Sequence, residues 1–275
     1  MSSGGKDSRE ELLTTKLRDL ETAIARRGSM LGMYSGGVDS TLLAVVAHRI
    51  LGRKFRCALL DSPLIPRREV QDALEQANRE GFSCRTIHFP ILADEVFRAH
   101  PVNRCYLCRK HASALLRGEA NHTGMEWIAD GLTTSDLGTH RPGIKAADEA
   151  GIIHPFIEAA ISKDDVRGIA KMLGLGVWNK PSAACLASRI PYGDRLDEPK
   201  LGIIERAEDI LHQMGFPQVR VRLHGPVMRI EVPMEELEKI LAMKSVLVEK
   251  LKQGGGTFIT LDLEGFRSGS MDEVG

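Results

Sequence analysis

Over its first two thirds the chain alternates short apolar runs with longer stretches in which apolar residues recur every three or four positions. The runs have the length of buried strands, and the stretches between them have the helical period. Strands that alternate with helices form parallel sheets covered by helices on both faces, so the pattern predicts an α/β fold, a doubly wound parallel sheet. The predicted strands are 29–35, 55–61, 84–90 and 126–132, and the predicted helices are 10–27, 40–51 and 66–81.

The pattern changes near residue 195, where strict alternation of apolar and charged residues begins to dominate. This second part reads as a smaller C-terminal α+β unit. Its predicted elements are a helix over 198–214, a hairpin over 218–232, a helix over 233–252 and a strand over 257–266. The predicted organisation is a disordered N-terminus over 1–9, an α/β domain over 10–195 and a C-terminal domain over 196–275.

Composition and charge exclude several classes of partner. Of the 275 residues, 37 are Lys or Arg and 37 are Asp or Glu, so the formal net charge is zero. Proteins that hold long nucleic acids usually carry a basic excess, and we expect no such partner. We expect no membrane either, because no apolar run approaches the length of a membrane span. Five cysteines without a secretory signal indicate reduced thiols in a cytoplasmic protein.

A glycine-rich loop, "YSGGVDST", joins the first predicted strand to the next helix. Adjacent glycines let a ligand approach the backbone, and the N–H groups at the start of a helix favour an anion. We therefore predict a phosphate site, with a carboxylate that can hold Mg²⁺. The alternative is a plain turn with Ser40 as the N-cap. The residues concerned are Ser35, Gly36, Gly37, Asp39, Ser40 and Thr41.

The loop resembles that of the N-type ATP-pyrophosphatases, which include NAD synthetase, GMP synthetase and the tRNA thiolases. The resemblance implies a PP-loop, adenine nucleotide alpha hydrolase-like fold and cleavage of ATP to AMP and pyrophosphate. By the same resemblance, Asp61 and Ser62 in "LLDSP" match the contact with adenosine. The segment 129–143 resembles a later motif of these enzymes, of whose acidic pair only Asp136 is kept.

Other segments resemble one branch, the LarE family of ATP-dependent sacrificial sulfur transferases. These segments are "NRCYLCRKH", "GVWNKPSAACLASRIPYGD", "VRVRLHG…RIEV" and "LDLEGFRSGSMDE". The resemblance implies a pyridinium dicarboxylic acid mononucleotide as substrate, in the biosynthesis of a nickel-pincer nucleotide cofactor. ATP adenylates a substrate carboxylate, a cysteine thiolate displaces AMP, and cleavage of that cysteine's C–S bond leaves a thiocarboxylate. Cys185 matches the sacrificial cysteine.

The residues around Cys185 are compatible with this chemistry. Attack requires a thiolate, and neighbouring cations such as Lys180 and Arg189 would favour its formation. The alternative is that Cys185 is an ordinary small residue in a turn.

Cys105 and Cys108 form a C-x-x-C pair that, with Cys185, makes three candidate thiolates. Three thiolates with one open position suit a [4Fe–4S] cluster. Some relatives hold such a cluster and use a sulfide on its free iron as the sulfur donor, in which case Cys185 is a ligand and is not consumed. We expect cluster binding slightly ahead of sacrifice of Cys185. The alternative is that Cys105 and Cys108 only begin a helix, with His111 solvated on it.

The predicted hairpin places Arg220 and Arg222 on one face, where guanidinium groups suit a phosphate. The family resemblance assigns these arginines to the substrate phosphate and sets acidic residues at Glu208 and Glu231 beside them as metal ligands. Alternation sets Val221 on the opposite face from these arginines, and across the turn it sets Met228, Ile230 and Val232 towards the core and Arg229 and Glu231 outwards. The alternative is a solvated strand face with cross-strand salt bridges. Ser188, Arg189, Tyr192, Arg267 and Ser268 are further candidates by position alone.

Two other functions fit the same loop. One is a tRNA thiolase or another adenylating PP-loop enzyme that forms amides or thio groups. The other is a regulator that binds ATP without chemistry. For the favoured function, the resemblance implies a homo-oligomer, with a hexamer as one form, whose C-terminal units make contacts.

Overall fold

The computed structural model describes residues 4–137, 142–181, 184–267 and 271. They fall into two compact units. The first comprises Met1–Ser62, Arg67–Phe89 and Cys105–Ala183, and the second comprises Pro63–Pro66, Pro90–Arg104 and Ala184–Gly275. Helix α1 begins at Gly4, inside the residues for which we predict disorder. The predicted domain boundaries remain predictions.

The secondary-structure elements follow the predicted alternation. In the first half they are α1 (Gly4–Ala25), β1 (Met30–Tyr34), α2 (Val38–Leu51), β2 (Phe55–Asp61), α3 (Arg67–Glu80), β3 (Cys84–His88), α4 (Glu95–Arg98), α5 (Arg104–Thr123) and β4 (Trp127–Ala129). In the second half they are α6 (Pro142–Glu149), α7 (Pro155–Glu158), α8 (Lys163–Met172), α9 (Glu198–Gln213), β5 (Arg220–His224), β6 (Val227–Glu231), α10 (Leu237–Ala242), α11 (Lys244–Gln253) and β7 (Phe258–Leu261).

The first unit is built on a parallel sheet whose described strands lie in the order β3-β2-β1-β4. This order confirms the predicted doubly wound α/β fold. From β1 the chain adds β2 and then β3 on one side, and it then places β4 on the other side of β1. Sheets of this kind bind ligands at such a switch point, here between β1 and β4, beside the carboxyl ends of the strands. Core residues from both strands and helices, such as Leu31, Ile128 and Leu116, are almost completely buried.

The second unit contains a three-stranded sheet among its described residues, with order β5-β6-β7. Strands β5 and β6 form the predicted hairpin, and β7 pairs with β6 in parallel. Val221, Met228 and Ile230 point from this sheet into a core that Leu211 and Leu251 complete. In the described part of the chain, we find no helix with the length and apolarity needed to cross a membrane.

Three expectations about the elements are wrong. The predicted helix over 233–252 is two helices, α10 and α11, separated at Met243, and Ile240 and Leu247 pack into one core. The predicted strand over 257–266 is extended only as Phe258–Leu261. The predicted strand over 126–132 is extended only as Trp127–Ala129. It ends there because the Asp130 side chain accepts a hydrogen bond from the Leu132 N–H and turns the chain away.

Candidate active site

The predicted phosphate loop lies between β1 and α2, at the carboxyl edge of the sheet. Helix α2 begins at Val38, with Gly37 in extended conformation as its N-cap, so the expectation that a plain turn would use Ser40 as N-cap is wrong. Ser40 Oγ instead accepts from the Ser35 N–H at 3.2 Å and lies 3.1 Å from Ser35 Oγ. The two serines therefore close the loop over the first turn of α2. Asp39 lies in that turn.

Two glycines allow the surrounding backbone to approach this loop. Gly36 has φ +71°, and a Cβ there would lie 2.6 Å from Ala73 Cβ on α3. Gly131, just after β4, would place a Cβ 3.1 Å from Asp39 Cβ. A larger residue at Gly36 would therefore collide with α3, and one at Gly131 would be tightly packed against Asp39. Thr41 is fully buried and its N–H donates to the Gly37 carbonyl, so its position does not support the predicted contact with phosphate.

The predicted adenosine contacts lie at the end of β2. Asp61 pairs with the Arg67 guanidinium, which also donates to the Ser62 carbonyl at 2.6 Å. The Ser62 side chain is buried. The start of α3 therefore holds this segment in place through Arg67.

A buried network at the carboxyl end of β4 escaped the sequence analysis. Asp130 is 4% exposed, pairs with Arg109 of α5 and lies 2.7 Å from His154 Nδ1. His154 Nε2 is also 3.0 Å from Asp148 Oδ1. Burial lowers the pKa of His154, but the hydrogen bonds and charges of Asp130 and Asp148 outweigh burial and raise the pKa above its ordinary value.

The acidic residue kept from the later motif, Asp136, is also buried. Its carboxylate accepts from the N–H and the hydroxyl of Thr133 at 3.0 and 2.8 Å, and Lys163 Nζ lies 2.9 Å away. These contacts form a capping box for a short helical turn. Residues 138–141 of the same motif lie outside the described residues.

In the second unit, Cys185 precedes one turn of 3-10 helix over Leu186–Arg189. The cysteine is exposed, whereas Leu186 and Arg189 are buried. The Ser188 N–H and hydroxyl both donate to the Cys185 carbonyl, at 3.1 and 2.8 Å. The Leu186 N–H donates to the Leu64 carbonyl at 2.8 Å. The backbone of Cys185 is therefore fixed while its side chain faces outwards.

The two cations that we expected beside the thiol have carboxylate partners. Arg189 is 2% exposed and pairs with Glu208 of α9 through Nε and Nη2, at 2.9 and 3.2 Å. Lys180 Nζ lies 2.8 Å from Glu69 Oε2.

The predicted arginine patch is not a solvated strand face. Arg222 is 5% exposed, and its Nε and Nη2 donate to Glu231 at 3.0 and 2.8 Å. The expectation that Glu231 faces outwards is wrong, because it is fully buried among Arg222 and Arg229. Glu208 also accepts from the Val221 N–H. These carboxylates, already engaged by guanidinium groups, fit a metal ion poorly, and we derive no step through a metal there.

Arg220 lies beside these two ion pairs and is half-buried. Its guanidinium lies 5.5 Å from the centre of the Phe266 ring, and Nη1 donates to the Val219 carbonyl. Burial, together with the positive charges of Arg189 and Arg222, lowers the pKa of Arg220 below its ordinary value. An anion bound here would relieve that repulsion. Among the remaining candidates, Arg267 pairs with Glu264 at 2.7 Å, and Ser268 lies outside the described residues.

Comparison with known proteins decides the family. No protein-family model matches the chain. An uncharacterized protein of Synechocystis sp. is 38% identical over 96% of this chain and 99% of its own length. Pyridinium-3,5-bisthiocarboxylic acid mononucleotide synthase of Lactiplantibacillus plantarum is 34% identical over 95% of both chains. This chain belongs to the LarE family. The NH3-dependent NAD+ synthetase of Thermococcus sibiricus, 27% identical over 83% of the chain, is more distant.

Membership of the LarE family confirms the PP-loop, adenine nucleotide alpha hydrolase-like fold. It also confirms that the chain is an enzyme, an ATP-dependent sulfurtransferase that forms AMP and pyrophosphate. Its role is that of a sulfur transferase acting on a nucleotide.

The C-x-x-C pair of this LarE-family chain lies in the first turns of α5. Cys105 is exposed and Cys108 is half-buried. Among the residues that the structure describes, no three His, Cys, Asp or Glu side chains are grouped so as to hold a metal. Cluster binding by Cys105, Cys108 and Cys185 stays a prediction.

The site residues that the sequence analysis missed share one property: they are titratable or charged, and each is at least partly buried. Arg109 directly follows Cys108 in "CYLCRKH", and Asp130 follows β4. An aspartate at the carboxyl end of a predicted strand was a usable signal, because such ends carry ligand sites in parallel sheets. Nothing in the sequence pairs it with Arg109 and His154, which come from distant parts of the chain.

Proposed function

We propose that this enzyme adenylates a carboxylate of a pyridinium dicarboxylate mononucleotide and inserts sulfur to give a thiocarboxylate, in nickel-pincer nucleotide biosynthesis. The observation that carries the proposal is the 34% identity with a bisthiocarboxylic acid mononucleotide synthase over 95% of both chains. It is supported by the exposed Cys185 thiol on a turn whose backbone is fixed.

The loop of the first unit would bind ATP. The N–H groups at the start of α2 would bind the phosphates, since the first N–H groups of a helix lack partners within it. Ser35 and Ser40 hold the loop closed beneath them. Asp39 would hold Mg²⁺, which neutralises phosphate charge when it is bound. An oxygen of the substrate carboxylate then attacks the α-phosphorus, and pyrophosphate leaves.

Arg220 would bind the substrate phosphate. Unlike Arg189 and Arg222, which are buried against Glu208 and Glu231, it is half-buried. Burial and the positive charges of Arg189 and Arg222 lower the pKa of Arg220, while the negative charges of Glu208 and Glu231 oppose that shift. A phosphate would accept two parallel N–H bonds from one guanidinium.

Cys185 would supply the sulfur. Its thiolate attacks the acyl carbon of the adenylate, the bond to AMP breaks, and a thioester forms. A base then removes the Cα proton of Cys185, and its Cβ–Sγ bond breaks with the electron pair on sulfur. The products are the thiocarboxylate and dehydroalanine at position 185, so each chain would act once.

A cluster held by Cys105, Cys108 and Cys185 is the alternative source of sulfur. The cluster route makes a distinct prediction. Cys185 would remain intact after turnover, and the wild type would bind iron whereas the variant C105A would not.

The test combines anaerobic purification, iron and sulfide assays, and one round of turnover with ATP, Mg²⁺ and the dicarboxylate mononucleotide. We expect AMP, a thiocarboxylate product and a protein whose Cys185 peptide has lost one H₂S. The variant C105A is the matched control, since it keeps Cys185 and should remain active. An inactive C105A that has lost iron, with an unchanged Cys185 peptide, would replace the sacrificial route by the cluster route.

Formation of AMP without any thiocarboxylate would instead favour another adenylating PP-loop enzyme, such as a tRNA thiolase or an amide-forming synthetase. We propose, with the main function, a small-molecule mononucleotide as substrate, no long nucleic acid as partner, a cytoplasmic location and a homo-oligomer, with a hexamer as one form.

A further inference from the structure

We propose that Arg189 is a positioning residue for Cys185 and does not bind a substrate or cofactor phosphate. Its buried guanidinium ties the backbone of the Cys185 turn to α9 and, through Glu208, to β5. The inference rests on the proposed function only in that Cys185 is the reacting group.

The burial of Arg189 requires protein partners. Arg189 is among the largest fully buried side chains of the described residues. An isolated charge in such a place is very costly, and it is tolerated only when paired and hydrogen-bonded. Glu208 provides the pairing, with each carboxylate oxygen accepting one N–H bond.

The other end of the guanidinium is directed at the Cys185 turn. Nη1 lies 2.9 Å from the Ala184 carbonyl, 3.1 Å from the Cys185 carbonyl and 2.9 Å from Ser188 Oγ. Charged donors make stronger hydrogen bonds than neutral ones. The carbonyl of the reacting residue is therefore held by a fixed cation from the inside.

The anchor of this cation is itself rigid. Glu208 lies on the buried side of α9, and its Oε1 also accepts from the Val221 N–H at 3.0 Å. A second buried pair acts in the same direction, since Arg222 pairs with Glu231 and donates to the Ser188 carbonyl at 2.9 Å. Both ends of the short turn are thus tied to the hairpin.

This arrangement differs from that of a phosphate-binding arginine. A phosphate site needs an accessible guanidinium edge, but Arg189 uses one edge for Glu208 and the other for backbone carbonyls. The side chain of Cys185 is exposed while its carbonyl is bound. That is the arrangement expected where a nucleophile must be held within a fraction of an ångström of its target.

The decisive experiment is hydrogen exchange of the turn in the full chain without ligands, followed by kinetics. The variant R189K keeps the positive charge but loses the planar guanidinium group. The single ammonium group of lysine cannot bind Glu208 and two carbonyl groups together. We expect the Leu186 and Ser188 amides to exchange about tenfold faster, with α2 unchanged. R229K is the matched control, because Arg229 pairs with Glu231 without reaching the turn, and turn exchange should stay as in the wild type.

The kinetic readout separates positioning from binding. A misplaced nucleophile should lower the single-turnover rate constant at saturating substrate by about a hundredfold and leave the half-saturating concentrations of ATP and the mononucleotide unchanged. A raised half-saturating concentration of the mononucleotide, with an unchanged rate constant at saturation and unchanged exchange of the turn, would make Arg189 a phosphate ligand and overturn the proposal. If R189K does not fold, S188A removes one acceptor of Arg189 and one donor to the Cys185 carbonyl, and faster exchange at Leu186 is again required.

The two proposals fail in different ways. If the turn loosens in R189K but the wild type forms no thiocarboxylate, the proposed function fails and Arg189 still fixes the Cys185 backbone. If the wild type forms thiocarboxylate and R189K matches it in exchange and in single-turnover rate constant, only the positioning role is refuted.

Discussion

Replacing His100 with asparagine tests whether one buried imidazole makes the second unit sensitive to mild acid. His100 is fully buried, its Nδ1 lies 2.8 Å from the Pro191 carbonyl, and its ring stacks on Tyr192 at 5.3 Å. Its carbonyl accepts from the Gly193 N–H at 2.9 Å. His100 therefore holds the "IPYG" segment that follows the Cys185 turn.

The pKa of His100 sets the size and sign of the effect. Burial lowers this pKa from 6.5 to about 4, and the charge of Arg104 acts in the same direction, whereas the hydrogen bond to Pro191 opposes it. In the unfolded chain the imidazole takes up a proton near pH 6.5, so between that pH and about 4 the unfolded state binds more protons. Stability therefore falls as the pH falls, by about 3 kcal/mol in total.

The assay is urea unfolding of wild type and H100N, followed by circular dichroism, at several values between about pH 7 and about pH 4.5. Asparagine suits the position because His100 has φ +56°, a conformation that asparagine tolerates better than most residues. The other histidines are shared by both proteins, so the difference between the curves isolates His100. We expect the wild type to lose stability faster than H100N on acidification. Parallel curves would refute the reasoning.

Three further predictions concern the first unit. Gly36→Ala should destabilise the protein by about 1 to 3 kcal/mol more than Gly28→Ala. Both glycines have positive φ, but only the new Cβ at Gly36 would collide with a neighbour. Only Gly36→Ala should abolish ATP binding. Asp165→Asn should cost about 2 kcal/mol above pH 4 and progressively less as the pH falls to about 2 and below, because hydrogen bonds and Lys16 outweigh burial and lower the pKa of Asp165 from 3.8 to about 2. His154→Gln should be less stable than wild type below pH 6.5, and the difference should shrink as the pH rises through the raised pKa of His154.

Each of these has its own measurement. Urea midpoints and calorimetric ATP titration compare the glycine pair, and equal losses in stability would contradict the collision. For Asp165, unfolding curves at successive acid pH values should converge, and a gap that does not narrow by about pH 2 would remove the carboxylate as its cause. For His154, a gap that widens with pH would mean that the imidazole is neutral in the fold.

The sheet was predictable because its signal is local. The run 55–61 is a strand with both ends as predicted, since buried parallel strands are continuous apolar runs. Helix α8 carried an equally local signal, a Ser162 cap with Asp165 three residues later, which the sequence analysis did not use. The break at Met243 had no such signal, because apolar residues keep the helical period on both sides of it.

The arginines show where sequence reasoning ends. Alternation along the hairpin correctly places Val221, Met228 and Ile230 inside, but it also predicts that Arg222 and Glu231 face water, and both are buried. Alternation assigns a face and says nothing of what packs against that face. In the structure the second face is covered by the Cys185 turn, whose carbonyl groups need donors.

The need of these carbonyl groups for donors explains why arginines are buried here. A turn that presents an exposed thiol directs its carbonyl groups inwards, and buried carbonyl groups must be hydrogen-bonded. Neutral donors would satisfy them, but a guanidinium satisfies several at once from one rigid plane, at the cost of needing a carboxylate of its own. Glu208 and Glu231, which the sequence suggested as metal ligands, provide those carboxylates. Arg189 and Arg222, each with its own carboxylate, therefore hold the backbone of the Cys185 turn between them.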